Sequence, residues 1–166
     1  MKQDKAYVVG SGAKKSLSPT IFNYWFNKYN IKGIYLPKEI KERLFENQIL
    51  KILNEKSLCG LNITIPYKAK IIPHLNTTDQ HSIDIGAVNC VTKNKNALIG
   101  TNTDWVGFKT SLNWFIKKNK IKTKKNTAIV LGYGGSAKAI IYSLTKLNYK
   151  KIKVFNRSFN KIKNDK

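Results

Sequence analysis

The chain has 166 residues, 42% of them hydrophobic, which is enough for one ordinary domain, or a compact domain with part of another, and excludes a disordered chain. Its first apolar run, "AYVVG", is only five residues long and is followed by polar residues; we expect neither a secretion signal nor a membrane span, which needs roughly 20 apolar residues. The formal charge of +22 suggests polyanions, but the lysines are spread along the chain with abundant Asn and Ile, so weak nonspecific binding is expected and no specific nucleic-acid function.

The elements alternate in the manner of an α/β fold with mainly parallel strands. A strand is predicted over 5–9, and then a helix from Ser18–Pro19 to about Tyr29, with Ser18 as N-cap and Pro19 at the first helical position. A second strand covers 33–37. Ile40, Leu44, Ile49, Ile52 and Leu53 then give a helical period from Lys38 to about Lys56. "LCGLNITIP" (58–66) reads as a buried strand stopped by proline, and 68–84 as short helical pieces. "AVNCVTK" and "ALIGTN" are joined through "NKN" as a hairpin. A long helix from Asp104 to about Lys118 should carry Trp105, Phe108, Leu112, Phe115 and Ile116 on one side. After a polar, basic boundary come strand 127–132, helix 135–147, strand 151–156 and a helix start at Ser158, which together make one βαβ unit.

Cys59 and Cys90 lie in apolar runs without metal-ligand spacing, so buried free thiols in a reducing cytoplasm are expected. His74 and His81 lack ligand partners at useful spacing. No metal is expected.

Gly132-x-Gly134-x-x-Ala137, set between a predicted strand and helix, fits a dinucleotide loop, with backbone N–H groups at the helix start as anion contacts. A glycine-rich turn without a ligand is the competing reading. At the end of the next strand stands Asn156-Arg157-Ser158, where an NAD site would want a carboxylate. A guanidinium suits a 2′-phosphate, which favours NADP, unless Arg157 is one more basic surface residue.

Four further stretches place small hydrogen-bonding side chains at strand ends or helix starts: "KSLSP" (15–19), "NITIPYK" (62–68), "GAVNCV" (86–91) and "GTNTD" (100–104). Singly, Ser18 could cap a helix, Lys68 could be solvated and Asp104 could oppose a helix dipole. Together with the glycine loop, in this order and at these separations, they resemble the shikimate dehydrogenase family from Tyr7 to about Ser158.

That resemblance implies an N-terminal substrate-binding α/β domain over 1–119, with helix 104–118 as connector, and a partial Rossmann-type NADP-binding domain over 120–166. It implies reversible NADPH-dependent reduction of 3-dehydroshikimate to shikimate in the aromatic amino-acid pathway. By motif, Ser16 and Ser18 would bind the substrate carboxylate, and Asn62, Thr64, Asn89 and Asp104 carboxylate or ring hydroxyls. Lys68 and Asp104 would form the catalytic pair. Gly132, Tyr133, Gly134, Gly135, Ser136 and Ala137 would form the cofactor loop, with Asn156, Arg157 and Ser158 at the adenosine phosphate.

Reduction of a ketone by hydride leaves charge on oxygen, so a proton donor such as the Lys68 ammonium is required, with Asp104 orienting it. Family members continue the cofactor domain and return a final helix, bearing a glutamine, to the substrate. A C-terminally truncated member with compromised activity is therefore expected. The alternative is a non-catalytic shikimate-binding module or one half of a split enzyme, with a homodimer or a complementing C-terminal chain as partner.

Overall fold

Alternation along the first strand explains the layering of the molecule, whose computed structural model describes residues 3–158. In β1 (Asp4–Gly10), Tyr7 and Val9 point to one side of the sheet and Ala6 and Val8 to the other. Strands β2 (Gly33–Glu39) and β3 (Leu58–Ile63) flank β1, both parallel to it. On the first side Leu61 and Ile63 join Tyr7 and Val9 beneath helix α2 (Phe45–Leu53), which contributes Phe45, Ile49, Ile52 and Leu53. On the second side Val8, Ala13 and Tyr35 meet Phe22 and Phe26 of helix α1 (Ser18–Lys28).

The sheet is completed by β4 (Thr77–Thr78), β5 (Cys90–Asn94) and β6 (Ala97–Thr101), in the order β2-β1-β3-β5-β6-β4. β5 and β6 form the expected antiparallel hairpin, and Lys95 in its turn takes φ 54°. Helix α3 (Gln80–Ile85) precedes β5 and ends at Gly86, in the left-handed conformation (φ 68°) that glycine adopts without cost. Helix α4 (Asp104–Lys118) leads to a second, two-stranded parallel sheet, β7 (Thr127–Leu131) and β8 (Lys151–Phe155), connected by helix α5 (Gly135–Lys146). α5 packs Ala139 and Tyr142 against Ile85, Ala87 and Trp105. Ser143 Oγ lies 2.8 Å from the Trp105 carbonyl and 2.7 Å from that of Ala139, which fixes α5 on α4.

Several expectations are corrected. The helix predicted from Lys38 to Lys56 starts late: β2 pairs with β1 as far as Glu39, a single 3₁₀ turn covers Glu42–Leu44, and α2 spans Phe45–Leu53. Pro37 did not end the strand because β2 is an edge strand, where proline is tolerated. Ser18 is the first residue of α1 and not its cap; its N–H donates to Ser16 Oγ at 3.2 Å. Cys59 is exposed, because in β3 it is Leu58, Leu61 and Ile63 that point into the core, and Cys90, at the start of β5, is half-buried. Phe115 is exposed, whereas Trp105, Phe108, Leu112 and Ile116 are half-buried. The helix expected to start at Ser158 falls outside the described residues. Among the described residues no helix is long and apolar enough to cross a membrane.

Candidate active site

The period of two along β3 separates core from site. Since Leu61 and Ile63 face α2, Asn62 and, just past the strand, Thr64 face the opposite side, at the carboxyl ends of β1 and β3 where α/β sheets bind ligands. The β1–α1 connection brings Ser16 and Ser18 over the same opening, and the result is a cleft of about 500 Å³. The Thr64 N–H donates to the Val9 carbonyl at 2.9 Å, and a Cβ on Gly10 would collide with Thr64 Cγ2, so glycine is what lets this strand end approach.

Lys68 is held from behind. The Val88 N–H donates to its carbonyl at 2.8 Å, and the buried neighbour Tyr67 donates its hydroxyl to the Ile40 carbonyl at 2.6 Å. Its Nζ meets Asp104 Oδ2 at 2.6 Å, with side-chain exposures of 13% and 31%, so the pair is sheltered but open to a ligand. Asp104 begins α4, where the helix dipole favours an anion, and its N–H donates to Asn102 Oδ1 at 3.0 Å. Asn89 Nδ2 donates to Asp104 Oδ1 at 2.7 Å and to Thr103 Oγ1 at 2.9 Å, while Asn89 Oδ1 accepts the Thr103 N–H at 2.8 Å. Asn89 therefore lines the cleft with its carboxamide committed to holding Asp104.

The glycine loop faces the same lysine. Gly132 follows β7 with φ 103°, a conformation that L side chains rarely adopt, and its N–H donates to the Phe155 carbonyl at 2.7 Å. Gly134 precedes α5, and among the described residues no side chain caps that helix, so the amides of Gly135, Ser136 and Ala137 are available as anion donors. The loop, Tyr133 included, lines a cavity of about 570 Å³. Thr64, Ile65 and Lys68 line this cavity and the cleft alike. Ser136 Oγ accepts from Lys68 Nζ at 3.0 Å, and a Cβ built on Gly135 would stand 3.1 Å from Lys68 Cβ and 3.2 Å from its Cδ. An ammonium has three N–H donors. Two are engaged with Asp104 and Ser136, which leaves one for a ligand.

Asn156, Arg157 and Ser158 follow β8 at the end of the sheet where Gly132 leaves β7. Asn156 Nδ2 donates to the Ser158 carbonyl at 2.9 Å, and Arg157 and Ser158 are exposed. They line neither cavity, but they stand where the second strand of a dinucleotide unit meets the adenosine end of the ligand. With glycines at the turn, free helix amides and no carboxylate at 156–158, the residues present fit an NADP diphosphate and 2′-phosphate.

The substrate-binding domain family of shikimate dehydrogenases matches residues 8–91. The chain belongs to this family. The matched segment contains Ser16, Ser18, Asn62, Thr64, Lys68 and Asn89, whereas Asp104 and the glycine loop lie beyond it. Among curated relatives, the NADP(+) shikimate dehydrogenase of Pelagibacter ubique is 39% identical over 91% of this chain and 55% of its own length. That of Bartonella henselae is 35% identical over 95% of this chain and 52% of its own. The structure resembles shikimate dehydrogenase from Thermotoga maritima, with a TM-score of 0.82 and 33% identity, across 96% of this chain and 57% of that one. It also resembles the Thermus thermophilus enzyme solved with NADP(H) and shikimate, with a TM-score of 0.76 and 25% identity, across 94% of this chain and 57% of the other. The chain thus spans about half the length of the shikimate dehydrogenases it matches.

Sequence reasoning left Asn102 and Thr103 without a role, although both lie in the quoted "GTNTD". An Asn two residues before the first acidic residue of a helix is a signal for local capping, and that is the bond Asn102 makes. The histidines have local partners: His74 Nε2 lies 2.9 Å from Glu46 Oε2, and His81 Nδ1 lies 2.8 Å from the Tyr142 hydroxyl.

Proposed function

We propose that this chain binds shikimate and 3-dehydroshikimate in the Ser16–Asp104 cleft and carries the proton-transfer pair of an NADP-dependent shikimate dehydrogenase. Residues 1–119 act as the substrate-binding module, and 120–166 belong to the NADP-binding module. The observation that carries this reading is Lys68, which lines both cavities and touches Asp104 on one side and Ser136 on the other.

Ser16 and Ser18 hold the substrate carboxylate, and Asn62, Thr64 and Asp104 hold ring hydroxyls, so that analogues lacking those hydroxyls leave polar groups unpaired. Gly132–Ala137, with Asn156, Arg157 and Ser158 at the phosphate end, would hold NADPH, which would supply the hydride when bound. Lys68 gives its proton to the oxygen of the reduced ketone and recovers it in the oxidative direction, while Asp104 fixes the ammonium in place.

The test is shikimate-dependent reduction of NADP by the purified chain. Turnover is expected, with a loss of about 10²–10⁴-fold in Lys68→Ala, the range for removing an acid–base group. Activity in the variant equal to the parent's would sink the assignment.

A second reading is a shikimate-binding half that requires a homodimer or a complementing C-terminal chain for turnover. The outer side of the second sheet favours it, with Ile129, Leu131 and Phe155 exposed by 64%, 80% and 57%. Calorimetric binding of shikimate without turnover would support that reading.

A further inference from the structure

Tyr35 of β2 is almost wholly buried, with 2% of its surface exposed, and its ring stacks on Phe22 with centroids 4.5 Å apart and planes 8° from parallel. Tyr35 pairs with Ala6, and Val8 with Asn62, so these four side chains lie on one face of β2, β1 and β3. Small residues on β1 let the long phenol cross over that strand. Its hydroxyl donates to Asn62 Oδ1 at 2.6 Å.

The backbone of Tyr35 is pinned as well. Asn23 of α1 bridges it, with Nδ2 donating to the Tyr35 carbonyl and Oδ1 accepting the Tyr35 N–H, both at 2.9 Å. Helix, ring and hydroxyl are therefore fixed as one unit beneath the cleft that Phe22 and Asn62 line.

A carboxamide presents an acceptor at one end and two donors at the other, and nothing in its shape says which end faces the ligand. Here the surroundings decide. Asn62 Nδ2 faces the Asn89 carbonyl at 3.5 Å, and that carbonyl can only accept. In the reverse orientation two carbonyl oxygens would oppose each other. Burial, with Cys90 as a smaller contribution, pushes the Tyr35 phenol well above its ordinary pKa, so it keeps the proton that it donates.

We propose that Tyr35 is a positioning residue for ligand recognition: it holds the Asn62 carbonyl inward, so that Asn62 offers the cleft an N–H donor and selects a ligand oxygen acting as acceptor. This inference rests on the cleft being the shikimate site. Removing only the Tyr35 hydroxyl leaves the 3.5 Å contact with the Asn89 carbonyl alone to orient the carboxamide, so the productive orientation is less populated and the ligand binds more weakly.

The experiment is a double-mutant cycle in shikimate affinity, measured by calorimetry on the parent chain, Tyr35→Phe, Asn62→Ala and the double variant, together with the Asn62 side-chain ¹³Cγ resonance, which reports the hydrogen bond accepted by Oδ1. Phe keeps the stack on Phe22. We expect Tyr35→Phe to weaken shikimate about tenfold in the parent and less than about twofold in Asn62→Ala, since a residue acting through Asn62 has nothing to position in its absence. The Asn62 ¹³Cγ resonance should move in Tyr35→Phe.

Equal losses in both backgrounds would show that Tyr35 acts on the fold and not through Asn62, and would overturn the proposal. So would an unmoved Asn62 resonance. If the parent itself fails to bind shikimate, the ligand assignment fails, and the resonance still decides whether Tyr35 sets the carboxamide.

Discussion

Tyr7 illustrates how a single buried side chain sets a property that can be measured. Its ring is 1% exposed beneath α2 and its hydroxyl donates to Glu55 Oε2 at 2.5 Å. Burial first, and the Glu55 carboxylate second, raise its pKa above the ordinary 10.0, and burial does the same for Tyr35. The unfolded chain therefore releases these phenolic protons before the folded one does. Their contribution to stability is complete below pH 10 and falls as pH rises beyond it. Urea midpoints should hold level up to about that pH and then decline, and Tyr7→Phe, about 1 kcal/mol less stable at neutrality for its lost hydrogen bond, should flatten the decline. An equally steep decline in the variant would contradict this. At this scale Asn62 and Thr64 were picked out by their place in "NITIPYK", and strand alternation explains why they face away from Leu61 and Ile63. Tyr35 was not, because its partner lies two strands away and no local pattern announces it. Phe45 was missed for a different reason: it precedes Ile49, Ile52 and Leu53 by four, seven and eight residues and shares their face, but Leu44 was read into that stripe in its place, and it is Phe45 that stacks on Tyr67 at 4.3 Å.

Among the elements, the contrast lies between the two sheets. β3 is a central strand with neighbours on both edges and the main core packed against one face, whereas among the described residues β7 and β8 pair only with each other, with α5 against one face. Two-stranded sheets are marginal, and among the described residues no strand pairs with the other edge of β7, beside exposed Ile129 and Leu131. Amide hydrogen exchange should therefore be at least tenfold faster in 127–131 than in 58–63; equal protection would show that contacts through α5 carry the second sheet as firmly as the first. Element type was readable wherever periodicity was sustained, as in β1, α4 and the βαβ unit. It failed between Lys38 and Leu44, where pairing with Val9 and Gly10 kept Lys38 and Glu39 extended and only a 3₁₀ turn follows at Glu42–Leu44. That pairing is a tertiary fact, and local propensity contains no trace of it.

For the molecule as a whole, the charge of +22 comes from 31 Lys and Arg against 9 Asp and Glu. The Lys68–Asp104 pair is among the few places where opposite charges meet in a sheltered setting. Such a field attracts any polyanion at low salt and is screened over about 8 Å at physiological ionic strength. Binding to duplex DNA should thus be detectable near 20 mM salt and lost by about 150 mM, as expected for contacts with phosphates alone. Affinity that persisted at the higher salt would point to a built nucleic-acid surface. The order of elements and the two cavities could be anticipated from motif order, because each motif ends a strand or opens a helix. The meeting of the cavities at Thr64, Ile65 and Lys68 could not, since it depends on how α5 lies against the first sheet. The 3.1 Å clearance between position 135 and Lys68 then bears on how such a protein can change. Gly135, a residue of the glycine-rich loop after β7, is also part of the wall around Lys68. Any side chain at 135 would press on Lys68 in the same step as it reshaped the loop, so the loop and the surroundings of that lysine are not free to evolve separately at that position.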